Sequence, residues 1–358
     1  HRSMDGHDPK CATFRALPFS SNGLAYLNDE QARTLSNVEV HQGDILLNIT
    51  GDSVARACIV PSDVIPARVN QHVAILRPKE KANATFILAW LQTNKDLLLK
   101  LASSGATRNA LTKRMLEGLD INLPSIDIQN HIAALISLIQ SKINLNIKLN
   151  GYLLELATTR FEQALFKSNR VVRLGDIVKL EDSKRVPLNS RDRDARKGPY
   201  PYYGATSIMD YVDDYLFDGI RVLLGEDGSV IDESGRPILQ YVWGKYWVNN
   251  HAHILAAASD YSLEAIYIAL QRTPISHIVT GAVQRKISQR NLNKLKLEMP
   301  DAKSLEYLQD IFAAYRCNCE ENRGLVSLRD ALLPKLMSGE IDVSKIDVAQ
   351  LNSHLAEY

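Results

Sequence analysis

Two stretches of this chain, residues 105–124 and 281–300, align with each other without a gap. They share Gly105/Gly281, Ala106/Ala282, Thr112/Ser288, Arg114/Arg290, Leu116/Leu292, Leu119/Leu295 and Pro124/Pro300. The same parts precede each stretch in the same order. Residues 69–76 and 248–255 alternate with the period of a strand, and both contain Val-Asn-x-His. Helical patterns follow at about 85–101 and 262–270. Self-similarity of this kind means that one structural unit occurs twice. Any fold must therefore hold two versions of one domain, linked and supported by what lies between and after them.

A long helical pattern follows each copy. From Ser125 to about Phe166 apolar residues recur at Ile128, Ile132, Leu135, Ile136, Ile139, Ile143, Ile147, Leu153, Leu154, Ala157 and Phe161, with no proline. Steps of three, four and seven give a helix with one apolar stripe. At 1.5 Å per residue it would be roughly 60 Å long, more than a globular core requires. After Pro300 a second stripe runs through Leu308, Ile311, Phe312, Tyr315, Cys319, Leu325, Leu332 and Leu336. Gly324 should weaken this helix, and Pro334 should kink or end it. Two such stripes most simply bury each other as a coiled coil. Short strands are expected near residues 38–40, 44–48, 57–60 and 121–124. The order is domain, helix, domain, helix.

A chain of 358 residues with 45% hydrophobic and 23% charged residues suits two globular cores. With no run of eighteen apolar residues and no signal-peptide pattern, a cytoplasmic protein without a membrane role is expected. Cys11, Cys58, Cys317 and Cys319 are too scattered for a disulfide framework, and Cys317 and Cys319 lack a second ligand pair for a metal. Phosphate-binding and dinucleotide glycine loops, the zinc-protease helix and the serine elbow are absent, as is the Asn-Pro-Pro-aromatic motif of amino methyltransferases. No catalytic residue and no metal ligand is assigned. A net charge of +1, from 42 basic and 41 acidic residues, leaves nucleic-acid binding to local patches.

One patch lies at residues 184–197, where Lys184, Arg185, Arg191, Arg193, Arg196 and Lys197 face only Asp192 and Asp194. Tyr200, Tyr202 and Tyr203 follow, and basic groups beside planar rings suit phosphates, sugars and bases. A second candidate is the glycine loop of each copy. Its tip reads Thr107-Arg108-Asn109 in the first, with Lys113 just beyond, and Gln284-Arg285-Lys286 in the second. The scaffold agrees between copies while the tips differ, as in one frame presenting two specificities. Arg, Asn and Gln can make bidentate contacts with base edges. His251 and His253 share a strand face and read first as core histidines, second as a metal pair. Residues 225–228, Gly-Glu-Asp-Gly, read first as a turn and second as nuclease carboxylates. Trp243 and Trp247 are assigned to the core before DNA.

These pieces together resemble the specificity subunit of type I restriction–modification systems. The resemblance rests on Val172-Arg173-Leu174-Gly175-Asp176, Pro201-Tyr202-Tyr203-Gly204-Ala205 and Val222-Leu223-Leu224-Gly225-Glu226-Asp227-Gly228. The Val-Asn-x-His strands, the gapless blocks and the terminal residues 332–341 add to it. The first domain shows no counterpart of the Leu174-Gly175-Asp176 opening, so either the N-terminus is truncated or the first domain has diverged there.

The resemblance implies an α+β chain. Two mixed α/β target recognition domains, 1–124 and 169–300, are separated by two long antiparallel helices, 125–168 and 301–342, in a coiled coil with a pseudo-two-fold repeat and a tail at 343–358. Each domain would read half of a bipartite target in double-stranded DNA. The helices would space the readers and dock methyltransferase subunits, and restriction/translocase subunits would join. S-adenosylmethionine, ATP and magnesium would act in those partners, leaving this chain without cofactor or catalysis in a prokaryotic cytoplasm. Against a rise of about 3.4 Å per base pair, a helix of this length leaves the bases between half-sites unread. Inserting one or two helical turns after Asn150 should then lengthen the unread spacer. The competing reading is a protein-interaction scaffold that never touches DNA.

Overall fold

A computed structural model describes residues 25–103, 109–281 and 285–346 together with Gln350. The chain divides into two compact units, Asn146–Glu321 and the described residues of Thr13–Leu145 and Asn322–Tyr358. Each contains one domain and one half of each long helix. The central helix is Ile126–Lys167 and the distal helix Tyr307–Ser338. Among the described residues no helix is long and apolar enough to cross a membrane.

In the N-terminal unit, Ile45–Asn48 is the middle strand of an antiparallel sheet, between Ala57–Ile59 and Val73–Leu76. Its alternate residues Ile45 and Leu47 are fully buried, as the two-residue period of a strand requires. Leu88, Leu91, Leu98 and Ala102 join them in one core. These come from two helices, Ala84–Thr93 and Lys95–Ser103, where the sequence suggests one. The break falls at Asn94, whose side chain donates to the Trp90 carbonyl and competes with the helical backbone. On the long helices Ile132 and Leu135 pack with Leu336, Phe86 and Val343. Arg329 donates to Gln140 at 2.9 Å and Asn322 to the Ile143 carbonyl at 3.4 Å.

The other unit has two four-stranded sheets. One is antiparallel, in the order Leu239–Val242, Arg221–Gly225, Ala252–Ala257, Val178–Leu180. The other, ordered Phe217–Asp218, Lys245–Val248, Lys197–Tyr203, Ile208–Val212, contains one parallel pair, Trp247 beside Tyr202. Ser262 caps the helix Leu263–Arg272, of which residues 263–270 are all buried. Ala157 and Phe161 of the central helix share the core with Leu308 and Phe312 of the distal helix. Asn146 donates to Glu321 at 2.7 Å, and Asn318 to Asn150 at 2.9 Å. Within each unit the partner number falls as the central helix number rises, so both halves pair antiparallel.

Two expectations are corrected. The distal helix continues through Pro334 to Ser338, because Leu333 and Leu336 are buried on either side of the proline and hold its last turn. Residues 121–124 form no strand, whereas their counterpart Lys296–Met299 pairs with Arg170–Arg173. No described segment of the first domain supplies that partner.

Candidate nucleic-acid interface

Both domains end their middle strand in the same turn. Gly51 has φ of 73° and Gly228 φ of 81°, left-handed backbone that glycine adopts without strain. The Gly51 N–H donates to the Asn109 carbonyl at 3.3 Å, and the Gly228 N–H to the Arg285 carbonyl at 3.0 Å. Just before each glycine, Ile49 and Glu226 occupy matching places. Their N–H groups donate to His72 and His251 at 2.9 and 2.8 Å, and their carbonyls each accept at 2.8 Å, from Leu111 and Ile287. Bridges Thr50–Ala110 and Asp227–Lys286 complete the frame.

The Val-Asn-x-His segment explains itself in this setting. Asn70 and Asn249 accept from the histidine N–H at 2.9 and 2.8 Å. Nδ1 of His72 meets Thr50 Oγ1 at 2.8 Å, and Nδ1 of His251 meets Asp227 Oδ1 at 2.7 Å. Asn109 and Arg285 emerge from equivalent points, both exposed. Arg285 borders an open depression of about 340 Å3 with Asp232 and Glu233. Lys113 is exposed and reaches Glu117 at 3.6 Å. Thr107, Arg108 and Gln284 lie outside the described residues.

Behind the loop of the second domain lies a polar network. Asp182 Oδ2 meets His253 Nδ1 at 2.6 Å and accepts from Gln289 at 2.7 Å; Oδ1 accepts from the Ile254 N–H at 2.8 Å. The other ring nitrogen of His253 meets the Ile287 carbonyl at 2.8 Å. Glu226 accepts from Arg185 at 2.7 Å and pairs with Lys286 at 3.2 Å. Burial alone would raise the Asp182 carboxyl, but His253, the Ile254 N–H and Arg185 hold it below its usual range. Glu226 is likewise pushed up by burial and brought down further by Arg185, His253 and Lys286. Asp182, Glu226 and His253 bring three ligand atoms within 4.8 Å of one another. All four carboxylate oxygens face nitrogen groups of the protein.

The basic stretch is changed most by the fold. Lys184 pairs with Glu181 at 2.6 Å and Arg193 with Asp210 at 3.3 Å. Arg196 pairs with Asp213 at 2.9 Å, and Lys197 with Asp210 at 2.7 Å and Asp194 at 3.1 Å. Arg185 is only 13% exposed and belongs to the internal network. The expected surplus of free positive charge is therefore corrected: among the described residues only Arg191 of the six has no ion pair. Tyr202, 1% exposed, and Tyr203 are core residues, corrected from base-facing ones; Tyr202 accepts from the Leu188 N–H at 2.9 Å under the Arg193 guanidinium. Trp247 is buried, and Trp243 is half-buried with its Nε1 donating to Glu320 at 2.7 Å. Sequence reasoning missed Asp182, Asp210 and Gln289. Asp182 and Gln289 meet partners up to 107 residues away, and no local pattern marks them.

Two loops on one duplicated backbone frame, with different side chains at their exits, define a two-module recognition protein. Comparison with known proteins agrees. The type I restriction modification DNA specificity domain matches twice, over residues 17–153 and 167–315, and the chain belongs to that family. A type I restriction enzyme specificity subunit of Haemophilus influenzae is 30% identical over 127 residues, 36% of this chain and 32% of its own length. The MjaIX specificity subunit of Methanocaldococcus jannaschii is 23% identical over 323 residues, 78% of this chain and 74% of that one. The match thus spans about a third of the first relative and most of the second. The crystal structure of a type I restriction–modification S subunit from M. genitalium has the same fold, with a TM-score of 0.53 at 17% identity, covering 83% of each chain.

Proposed function

We propose that this chain is the non-catalytic DNA-specificity subunit of a type I restriction–modification complex. Each loop frame reads one half of a bipartite target in double-stranded DNA, from domains within residues 1–124 and 169–300. The helices of residues 125–168 and 301–342 set the gap between the readers. The observation that carries this reading is the bond-for-bond match of the two frames, with Asn109 at one exit and Arg285 at the other. Asparagine pairs with adenine and arginine with guanine through two hydrogen bonds each, worth about 1–3 kcal/mol of discrimination. Leu149, Tyr152 and Leu156 form an exposed apolar face at helical spacing, which suits docking of a methyltransferase subunit. S-adenosylmethionine, ATP and magnesium act in the methyltransferase and restriction/translocase partners, in a prokaryotic cytoplasm.

The test is selection by the full chain from randomised duplex DNA, followed by sequencing of what is bound. A split motif with a fixed gap is expected. Absence of any enriched motif would reject the reading in favour of an interaction scaffold. The spacing claim needs matched insertions. Asn150 donates to the Tyr315 carbonyl and accepts from Asn318, so extra turns in one helix alone would slide the two stripes out of register. Turns added to both helices should widen the gap and leave the half-sites unchanged.

A further inference from the structure

The two frames differ in what stands behind the loop. In the second domain both backbone groups of Ile287 are held: its N–H donates to the Glu226 carbonyl, and its carbonyl faces His253 Nε2, each at 2.8 Å. Next to it, the Arg285 carbonyl accepts from Gly228 and the Lys286 side chain pairs with Glu226. In the first domain the backbone bonds recur, but Ile49 replaces Glu226, Ala110 replaces Lys286, and Ala74 stands where His253 does. Leu111 and its counterpart Ile287 are both buried in the hydrophobic core of their own domain, so the difference lies in the groups around them.

Burying two carboxylates, an arginine and a histidine costs desolvation, and apolar residues of similar size often serve stability as well or better. The first domain closes the same frame with apolar residues, so the frame itself does not require the charges. What they add is direction. An apolar contact tolerates sliding, whereas Ile287, fixed through both backbone groups, and Lys286, drawn to Glu226, leave Arg285 one exit from the frame.

We propose that Asp182, Glu226 and His253, with Arg185, are positioning residues that aim Arg285 at its base. Recognition by the second domain then depends on this network, and recognition by the first does not. The inference rests on the reading of the loops as DNA readers. It also gives Arg185 a role other than the phosphate contact expected from its basic neighbours.

The experiment is the same library selection, applied to the full wild-type chain, Arg285→Ala, Glu226→Gln and the double variant Arg185→Gln/Glu226→Gln. The double variant removes both charges of the Arg185–Glu226 pair together rather than stranding one of them, and a cooperative thermal transition in circular dichroism checks that it folds. The expected result is a loss of at least about tenfold in base discrimination at the Arg285 half-site for all three variants, with the other half-site unchanged. Retention of full discrimination by the folded double variant, while Arg285→Ala loses it, would overturn the positioning role and leave the DNA reading standing. Equal loss at both half-sites would also overturn it. A wild-type chain that selects no split motif would remove the DNA reading, and this inference with it.

Discussion

Behind its loop the second domain places Glu226, His253 and Lys286, and the first places Ile49, Ala74 and Ala110. A similar exchange occurs at the far end of the strand. Asp44 in the first domain binds Arg77 through two bonds of 2.7 Å, while the matching Arg221 of the second binds Glu181 at 2.7 Å. The backbone frame survives both exchanges. Main-chain hydrogen bonds and one left-handed glycine per copy therefore specify the frame, and the side chains behind it are free to set how firmly each loop is held.

The largest effect that tests this contrast is on stability. Asp182→Ala leaves His253, Gln289 and the Ile254 N–H without their shared acceptor and removes the carboxylate that Arg185 faces at 3.7 Å, and breaking a buried charge pair typically costs about 3–5 kcal/mol. Trp90 belongs to the N-terminal unit, whereas Trp243 and Trp247 belong to the other. In a Trp90→Phe background, denaturation followed by fluorescence thus reports the second domain. Its transition should move to lower denaturant while a Trp243→Phe/Trp247→Phe background shows the first unmoved. Equal shifts in both would mean that the two units do not unfold independently.

On DNA, Arg285→Ala and Asn109→Ala should each cost about 1–3 kcal/mol of discrimination, at opposite half-sites. Loss at the same half-site from both would break the correspondence of the two exits.

Acid should separate the domains as well. Asp182, Glu226 and Glu181 have folded-state values below those of the unfolded chain, and in the first domain Asp44 is lowered chiefly by its hydrogen bonds from Arg77. A depressed carboxyl contributes stability that is complete above its unfolded pKa, near 4, and is lost as pH falls through the folded value. The second domain carries more such groups, so its fluorescence transition should weaken first as pH drops below about 4. A first domain that fails at higher pH than the second would contradict this order.

The repeat, the long helices and the paired glycine loops were legible in the sequence because each depends on local spacing, whereas the hydrogen bonds that tie Gly51 and Gly228 to those loops join distant residues and were not. Neither was the polar content of the interface. Asp182 reaches His253 across 71 residues and Arg193 reaches Asp210 across 17, so the sequence shows six basic residues together and hides the acids that neutralise them. Tyr202 and Tyr203 looked available for the same reason: alternation places one residue of such a pair inside, but the other sheet covers Tyr203 while Leu188 and Arg193 cover Tyr202 on the opposite face.

The smallest effect concerns that basic stretch, which has no described counterpart in the first domain. Arg193 is held by Asp210, by the Leu188 carbonyl and over the Tyr202 ring, so its loss should disturb the fold more than the phosphates. Arg191 is exposed on the short helix Ser190–Ala195. Each phosphate contact removed lowers the slope of log affinity against log salt by about one. Arg191→Ala should therefore flatten the slope by about that amount without changing which sequences are bound. Lys184→Ala should flatten it less, since its ammonium already faces the buried Glu181 carboxylate. A slope unchanged by Arg191→Ala would take the whole stretch out of the interface, and the two domains would then meet DNA through their matched loops alone.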